Sequence, residues 1–294
     1  RAPMLALSAA ACLSFGASNV APPLCSHATV VTHALDTTGS EFWGRMQIAA
    51  STSAEQLGAG LSWSRSGYDG TKHAALLDAA CTQVPKQGVA ATVPFAEGTD
   101  AHAMVDAAVN RCIDAGVDVV ILNTDVYQNN RSWGYVGAIN ANFGSRCAQV
   151  AIEAAPSDVL VYGSEDEFLN AGIAARAAAL LRVLGRTAIP ANFTSSIEEV
   201  QAAVAKDAAT MIISLGSGAT NRLNGLSSLN CGDDLDLDFP HVGQQIYGQG
   251  AAVVLWAINA CKGNFIGDTG SSTNLQITVS ASADIAQVRE GWQK

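Results

Sequence analysis

The chain has few charged and few aromatic residues, and its charge is mostly of one sign. Charged residues make up 14% of the 294 positions and aromatic residues 6%, and the formal net charge is −10. A nucleic-acid surface needs clustered Lys and Arg to neutralise phosphates, so we expect no nucleic-acid partner. The hydrophobic share of 49% is large enough for a sizeable core, and the sequence therefore predicts a folded protein.

Sequence motifs of common enzymes and metal sites are also absent. The chain has no GxSxG, HExxH or phosphate-binding loop, no GxGxxG after a strand and no CxxC pair. Asp234, Asp236 and Asp238 alternate along the chain, but the central Gly and closing Glu of a calcium loop are missing, which favours an exposed acidic edge. We therefore expect no metal, no cofactor and no enzymatic activity.

The N-terminal segment is typical of a secretion signal. Arg1 precedes an alanine-rich apolar stretch over 4–17, and Ser26-His27-Ala28 has the small-x-small spacing of a cleavage site. The stretch is too short to span a bilayer as a permanent helix. We expect residues 1–28 to be a signal peptide and the mature protein to be periplasmic or extracellular. A buried first helix is the alternative.

The seven cysteines do not form a recognisable framework. Removal of the predicted signal peptide leaves five, an odd number, and most of these lie in alanine-rich helical patterns. A buried thiol there behaves as a small apolar residue, although one or two disulfides are compatible with export. The cysteines are at 12, 25, 81, 112, 147, 231 and 261.

From Thr29 onward, short β-branched runs alternate with longer alanine-rich helical stretches, and the alternation restarts near the middle of the chain. A βαβαβαβ order produces parallel strands with right-handed crossovers and helices on both faces of an open sheet. The sequence thus predicts two similar α/β lobes. The first spans 29–124 and is completed by about 247–268; the second spans 125–244 and is completed by about 269–294.

Polar and aromatic side chains follow the predicted strands of the first lobe, where open α/β sheets bind ligands. Phe42 and Trp43 lie in the first turn of a helix, and neighbouring rings there cannot both face the core. One is expected to project towards a cleft, although both could belong to the core. Asn123 and Asp125 follow the fourth strand, as a rim or as a simple turn. Rings and planar polar groups are what a sugar requires.

Six segments, in order, resemble those of the type 1 periplasmic sugar-binding proteins, the ribose- and galactose-type receptors of bacterial transport systems. They are SEFW, GVAATVP with AGVDVVILNTD, GYVGAINANFG, EDEFLNAGIAAR, IISLGSGA and GQQIYGQG. The resemblance covers nearly all of the chain after Thr29. It implies two Rossmann-like lobes joined by a hinge, with a monosaccharide or related small molecule bound between them. The segment 231–240 is shorter than in that family, which leaves its acidic residues without an assigned role.

The resemblance also implies a role for individual residues. Trp43 would stack on the ligand ring together with Phe42, and Asn170 and Arg176 would bind its hydroxyls from the second lobe. Arg176 could instead pair with an acidic neighbour such as Glu167. The full set of candidate ligand-binding residues is Phe42, Trp43, Asn123, Asp125, Asn170, Arg176 and, on the hinge side, Gln244.

These expectations define a function. The protein would capture its ligand by hinge closure, as a monomer, and present the closed form to a membrane permease or receptor for ABC-type uptake or sensing. Two alternatives remain open at this point. One is a secreted carbohydrate-active enzyme with Asp36 and Asp125 as paired acids. The other is a receptor for a non-sugar signal on the same scaffold.

Overall fold

A computed structural model describes most of the chain. The described residues are 25–34, 41–125, 127, 129, 131–163, 170–216, 219, 222–226, 228–232, 241–244, 246–264, 273–274 and 278–279. Asp36, the acidic run 233–240 and the apolar part of the predicted signal peptide lie outside them. Among the described residues, no helix is long and apolar enough to cross a bilayer.

Short strands and longer helices alternate along the chain. The strands are β1 (His27–Thr32), β2 (Gly60–Arg65), β3 (Gly88–Ala91), β4 (Val119–Leu122), β5 (Gly134–Gly137), β6 (Asp158–Tyr162), β7 (Ala191–Thr194), β8 (Thr210–Ser214), β9 (Leu229–Cys231), β10 (His241–Gly243), β11 (Thr273–Asn274) and β12 (Thr278–Val279). The helices are α1 (Glu41–Gln56), α2 (Gly70–Cys81), α3 (Asp100–Asp114), α4 (Asn140–Ala154), α5 (Ala171–Leu184), α6 (Ile197–Lys206) and α7 (Ile246–Cys261).

The strands form two open sheets, one in each lobe. The first has the order β11-β5-β4-β3-β1-β2 with all pairs parallel, and the second has the order β12-β10-β9-β8-β6-β7 with only β12 antiparallel. Helices cover both faces: α1 and α7 pack together against one face of the first sheet, and α2 and α3 pack together against the other. Central strands such as β4 are completely buried, which explains their continuous apolar sequence.

Local sequence sets where the helices begin. Asp69 accepts a hydrogen bond from the backbone of Lys72 and caps α2, and Thr99 caps α3 in the same way. In the second lobe, Asn170 caps α5 and Ser196 caps α6. Each cap satisfies a backbone N–H that has no partner within the helix, so these side chains fix the position of each first turn.

The boundary between the lobes differs from the prediction at residue 124. Strand β5 pairs with β4, with Leu122 beside Val136, and therefore belongs to the first sheet. The chain enters the second lobe only after Gly137. The late segment, assigned above to the second lobe, also differs, because β11 pairs with β5 and only β12 joins the second sheet. Both differences, in the lobe boundary and in the late segment, arise because strands distant in the chain pair with one another.

The predicted cleavage after residue 28 is incompatible with the fold. His27 and Ala28 are the first residues of β1 and pair with β2, and Ala28 also pairs with β3. Cys25 is buried and disulfide-bonded to Cys261 at the end of α7. A cut after Ala28 would remove this cysteine and the first two residues of a central strand.

The described cysteines are all paired, which corrects the expectation of an odd number with one or two disulfides. Besides Cys25–Cys261, Cys81 pairs with Cys112 and Cys147 pairs with Cys231. The second bond joins α2 to α3, and the third joins α4 to β9. Each bond lies within one lobe, so none of them restrains the movement of one lobe against the other.

Candidate ligand-binding site

The carboxyl ends of three neighbouring strands of the first lobe are tied together by two threonines. Thr92, directly after β3, accepts the backbone N–H of His33 at 3.1 Å, and its Oγ1 lies 2.9 Å from His33 Nδ1. Thr124, after β4, accepts the backbone N–H of Val93 at 3.2 Å. Because β1, β3 and β4 are adjacent in the sheet, these bonds make a rigid edge from which side chains can face the second lobe.

His33 occupies the centre of this edge. Its ring makes edge-on contacts with Trp43 and with Tyr68, at centroid distances of 4.9 and 4.7 Å. Burial, with a smaller contribution from nearby His73, lowers the pKa of His33 to about 3. The ring is therefore neutral at physiological pH, and it can offer an unprotonated nitrogen as a hydrogen-bond acceptor.

Both predicted aromatics, Phe42 and Trp43, are buried in the first-lobe core. Their rings touch edge to face at a centroid distance of 5.0 Å. Trp43 also contacts the ring of His33, which brings it to the carboxyl end of β1. Of the two rings, Trp43 is therefore the one at the sheet edge where a ligand would bind, and it also packs in the first-lobe core.

Asn170 is the point at which the second lobe meets the first. Its side chain Nδ2 lies 3.3 Å from Nε2 of His33, and its backbone forms an isolated antiparallel bridge with Phe95. The next residue, Ala171, donates its backbone N–H to the carbonyl of Pro94 at 2.9 Å. Asn170, predicted to bind hydroxyls, is therefore brought together with the first-lobe edge and is 8% exposed.

Asn123 and Gln244 come together at the hinge, although they are separated by 121 residues in the chain. Asn123 Nδ2 donates to Gln244 Oε1 at 3.0 Å and to Gln249 Oε1 at 2.8 Å. Gln244 in turn donates to the carbonyl of Gly232 in the second lobe. Asn123 has a φ of 55°, a left-handed conformation that Asn tolerates better than most residues. Three amides thus connect the ends of strands from both lobes.

Asp125 has a structural role that the sequence did not indicate. One carboxylate oxygen accepts the backbone N–H of Asn140 at 2.8 Å, and the other accepts the side-chain amide of the same residue. Asp125 therefore caps α4 across the connection between the lobes, and it holds the Asn140 side chain in one orientation. The ligand contact through Asp125 stays a prediction beside this structural role.

Arg176 also has a structural role, and its contact with a ligand stays a prediction. Nε and Nη2 donate to Oδ1 of Asn140 at 3.1 and 2.8 Å, and Nη1 donates to the carbonyls of Leu215 and Cys231, each at 3.0 Å. The guanidinium also stacks over the ring of Phe143 at 4.2 Å. The side chain is 3% exposed, so its fork of donors braces the ends of β8 and β9.

The sequence missed several residues that the structure places at this edge. His33 is not among the predicted site residues, yet it lies just after β1, is buried and reaches the other lobe. Thr92, Tyr68 and Gln249 were not predicted to lie near the site at all. Their place in the chain is the signal that could have indicated them, since Thr92 directly follows a strand and Gln249 lies one turn into α7.

The paired-acid alternative finds no support in the described residues. Both oxygens of Asp125 accept hydrogen bonds from Asn140, and Asp36 lies outside the described part of the chain. Within that part, no group of three or more His, Cys, Asp or Glu side chains is arranged to hold a metal ion.

Sequence comparison alone does not place the chain, since it matches no family model and no curated protein. Solved structures do share its fold. A carbohydrate transporter from Acidothermus cellulolyticus 11B, in complex with myo-inositol, is 18% identical with a TM-score of 0.69, covering 90% of this chain and 97% of that one. GanP, a glucose-galactose binding protein from Geobacillus stearothermophilus, is 17% identical with a TM-score of 0.64, covering 89% and 99%.

A third similar structure is that of a XylFII–LytSN complex, 16% identical with a TM-score of 0.65, covering 89% of this chain and 100% of that one. The predicted fold is confirmed: the chain has the two-lobed α/β fold of the type 1 periplasmic sugar-binding proteins. At these identities the likeness extends to the fold and not to the ligand.

Proposed function

We propose that the protein captures a monosaccharide or a closely related polyhydroxyl compound between its lobes and releases it unchanged. The observation that carries the proposal is the meeting of the two lobes at Asn170 and His33, beside the ring of Trp43. A ring for stacking and planar polar groups from both lobes, at the carboxyl ends of parallel strands, suit a sugar. The sugar ligands of the structures with the same fold support this proposal.

Ligand capture of this kind works through hinge closure. Contacts from Asn123 and Gln244 at the hinge, and from Asn170 on the second lobe, act together only when the lobes are close. A ligand that binds across the gap therefore shifts the equilibrium towards the closed form. The closed form, as a monomer, would be recognised by a membrane permease or by a receptor. The similar structure with a partner, LytSN, fits this expectation.

Export is part of the proposal. Three disulfides are typical of proteins that fold in an oxidising compartment, outside the cytosol. The apolar N-terminal stretch would act as the signal peptide, with cleavage before Cys25 so that its bond to Cys261 can form.

A binding screen tests the function. We expect a pentose, hexose or inositol, but no amino acid, to raise the Tm of the purified protein. A ligand at about a thousand times its Kd adds about 4 kcal/mol of stability. Isothermal titration should then give one site per chain, and chromatography should return the ligand unchanged. A folded protein that responds to no sugar, or that converts the sugar, would contradict the proposal.

A further inference from the structure

The orientation of the Asn170 amide is set by the helix that it caps. Its Oδ1 accepts the backbone N–H groups of Gly172 at 2.9 Å and Ile173 at 3.3 Å. Only the oxygen of an amide can accept, so the NH₂ group is the one turned towards the first lobe. Asn170 therefore presents a hydrogen-bond donor to Nε2 of His33, 3.3 Å away.

The proton on His33 is fixed by the same reasoning. Since Nε2 faces a donor, it carries no proton, and the neutral ring holds its proton on Nδ1. Nδ1 lies 2.9 Å from Thr92 Oγ1, which also accepts the backbone N–H of His33. A hydroxyl oxygen has two lone pairs and can accept both. His33 therefore offers the second lobe an acceptor that is held in place by Thr92.

We propose that a single ligand hydroxyl inserts between these two side chains, accepting from Asn170 Nδ2 and donating to His33 Nε2. The proposal rests on the proposed function and names the chemistry of its ligand. A hydroxyl both donates and accepts at one atom, whereas a carboxylate lacks the donor and an ammonium lacks the acceptor. His33 is thus a specificity-determining residue that selects a hydroxyl over a carboxylate or an ammonium group at this one position of the ligand.

Insertion requires only a small opening of the lobes. Two hydrogen bonds of ordinary length that meet at one oxygen place the two nitrogens roughly 4.5 Å apart. The present separation is 3.3 Å, so the lobes would part by about an ångström at this point. The backbone bond from Ala171 to Pro94 crosses the lobes beside it and would lengthen in the same movement. A hinge between two rigid lobes provides such a change readily.

Two substitutions test the pair while leaving the fold intact. Asn170→Asp keeps the oxygen that caps α5 but replaces the donor with a second acceptor. His33→Phe keeps an aromatic ring but removes the acceptor. The matched controls are Ser196→Asp, at the cap of α6, and His27→Gln, at the far end of β1, where the ring lies 2.8 Å from Ser62 Oγ. Circular dichroism and Tm establish which variants are folded.

The measurement is isothermal titration with arabinose, ribose, glucose, galactose and myo-inositol, and with glucuronic acid, galacturonic acid, glucosamine and galactosamine. We expect the wild type to bind a neutral sugar with one site per chain. Asn170→Asp and His33→Phe should each weaken that binding at least about tenfold, and the controls should stay within about twofold.

The outcomes separate this inference from the function on which it rests. If the wild type binds a sugar and every folded variant of the pair binds it equally well, the hydroxyl bridge is wrong and the sugar-binding function stands. If the folded wild type binds none of these compounds, the proposed function falls together with the inference.

Discussion

Two histidines of the first lobe are buried without charge, and this links stability to pH. Burial lowers the pKa of His33 to about 3, and it lowers the pKa of His73 to about 4 despite the opposing effect of the nearby Thr92 carbonyl. The unfolded chain takes up these protons near pH 6.5, and the folded chain does so only near 3 to 4. The free energy of unfolding therefore decreases as the pH falls from about 6.5 towards 4.

We expect acid to lower the free energy of unfolding in this range by on the order of 3 kcal/mol for each histidine, and to lower the urea midpoint accordingly. His73→Gln should be less stable than the wild type at pH 7, because the bond to Ser66 is disturbed, but its stability should depend less on pH. Urea titrations at pH 7, 5.5 and 4 measure both effects. His102→Gln, at a half-buried position in α3, controls for the replacement of a histidine as such. A wild-type slope in His73→Gln would contradict the pKa assignment.

For individual residues, the sequence indicated where a side chain lies in the fold better than which hydrogen bonds it makes. Asn123, Asn170 and Gln244 lie at the ends of strands and helices as expected, because strand order follows from the alternation of elements. The roles of Asp125 and Arg176 could not be predicted. Arg176 lies in α5 and its partner Asn140 in α4, and only the packing of these two helices brings them within hydrogen-bond distance.

Elements with a strong local signal were predicted closely. The β-branched run 210–214 predicts a strand and the alanine-rich stretch 246–261 predicts a helix, and these coincide with β8 and α7. The sequence predicts no strand at the positions of β7, β9 and β10. The latter two have three residues each and are held by pairing with neighbours in the second sheet, which a local pattern does not contain.

Helices α4 and α5 pack closely because Gly144 has no side chain. A Cβ at this position would overlap the carbonyl oxygen of Arg176 in the facing helix. Close approach here also sets the position of Arg176, whose guanidinium joins α5 to the ends of β8 and β9. The second lobe therefore depends on one small residue in the middle of a helix, where glycine is otherwise unfavourable.

Gly144→Ala should lower the free energy of unfolding by roughly 2 kcal/mol or more, because backbone must move to relieve the overlap. Gly44→Ala is the matched control, since it also lies within a helix, and no neighbouring atom would come within 4 Å of its Cβ. The control should gain roughly 0.5–1 kcal/mol from helix propensity. Urea denaturation measures both changes. Equal effects of the two substitutions would show that the contact between α4 and α5 does not restrict the size of the side chain at position 144.

At the scale of the whole molecule, the covalent cross-links brace each lobe and leave the hinge free. Cys25 at the start of β1 and Cys261 at the end of α7 both belong to the first lobe, whose sheet is completed by late segments of the chain. The bond spans 236 residues, and its loop encloses the second lobe except for β12. It joins the two segments of the first lobe that lie on either side of the second lobe in the chain.

The stabilising effect of this long loop can be compared with that of a short one in the same lobe. Cys81–Cys112 spans 31 residues. Loop-closure entropy predicts that Cys25→Ser with Cys261→Ser costs roughly 2 kcal/mol more than Cys81→Ser with Cys112→Ser. Thermal and urea denaturation of the two double variants measure this difference. Ligand affinity at 25 °C should be retained in both, because neither bond crosses the cleft. Equal losses of stability would instead show that each bond stabilises the protein through its local packing and not through loop length. A loss of affinity in the Cys25/Cys261 variant would show that this bond also affects closure of the lobes.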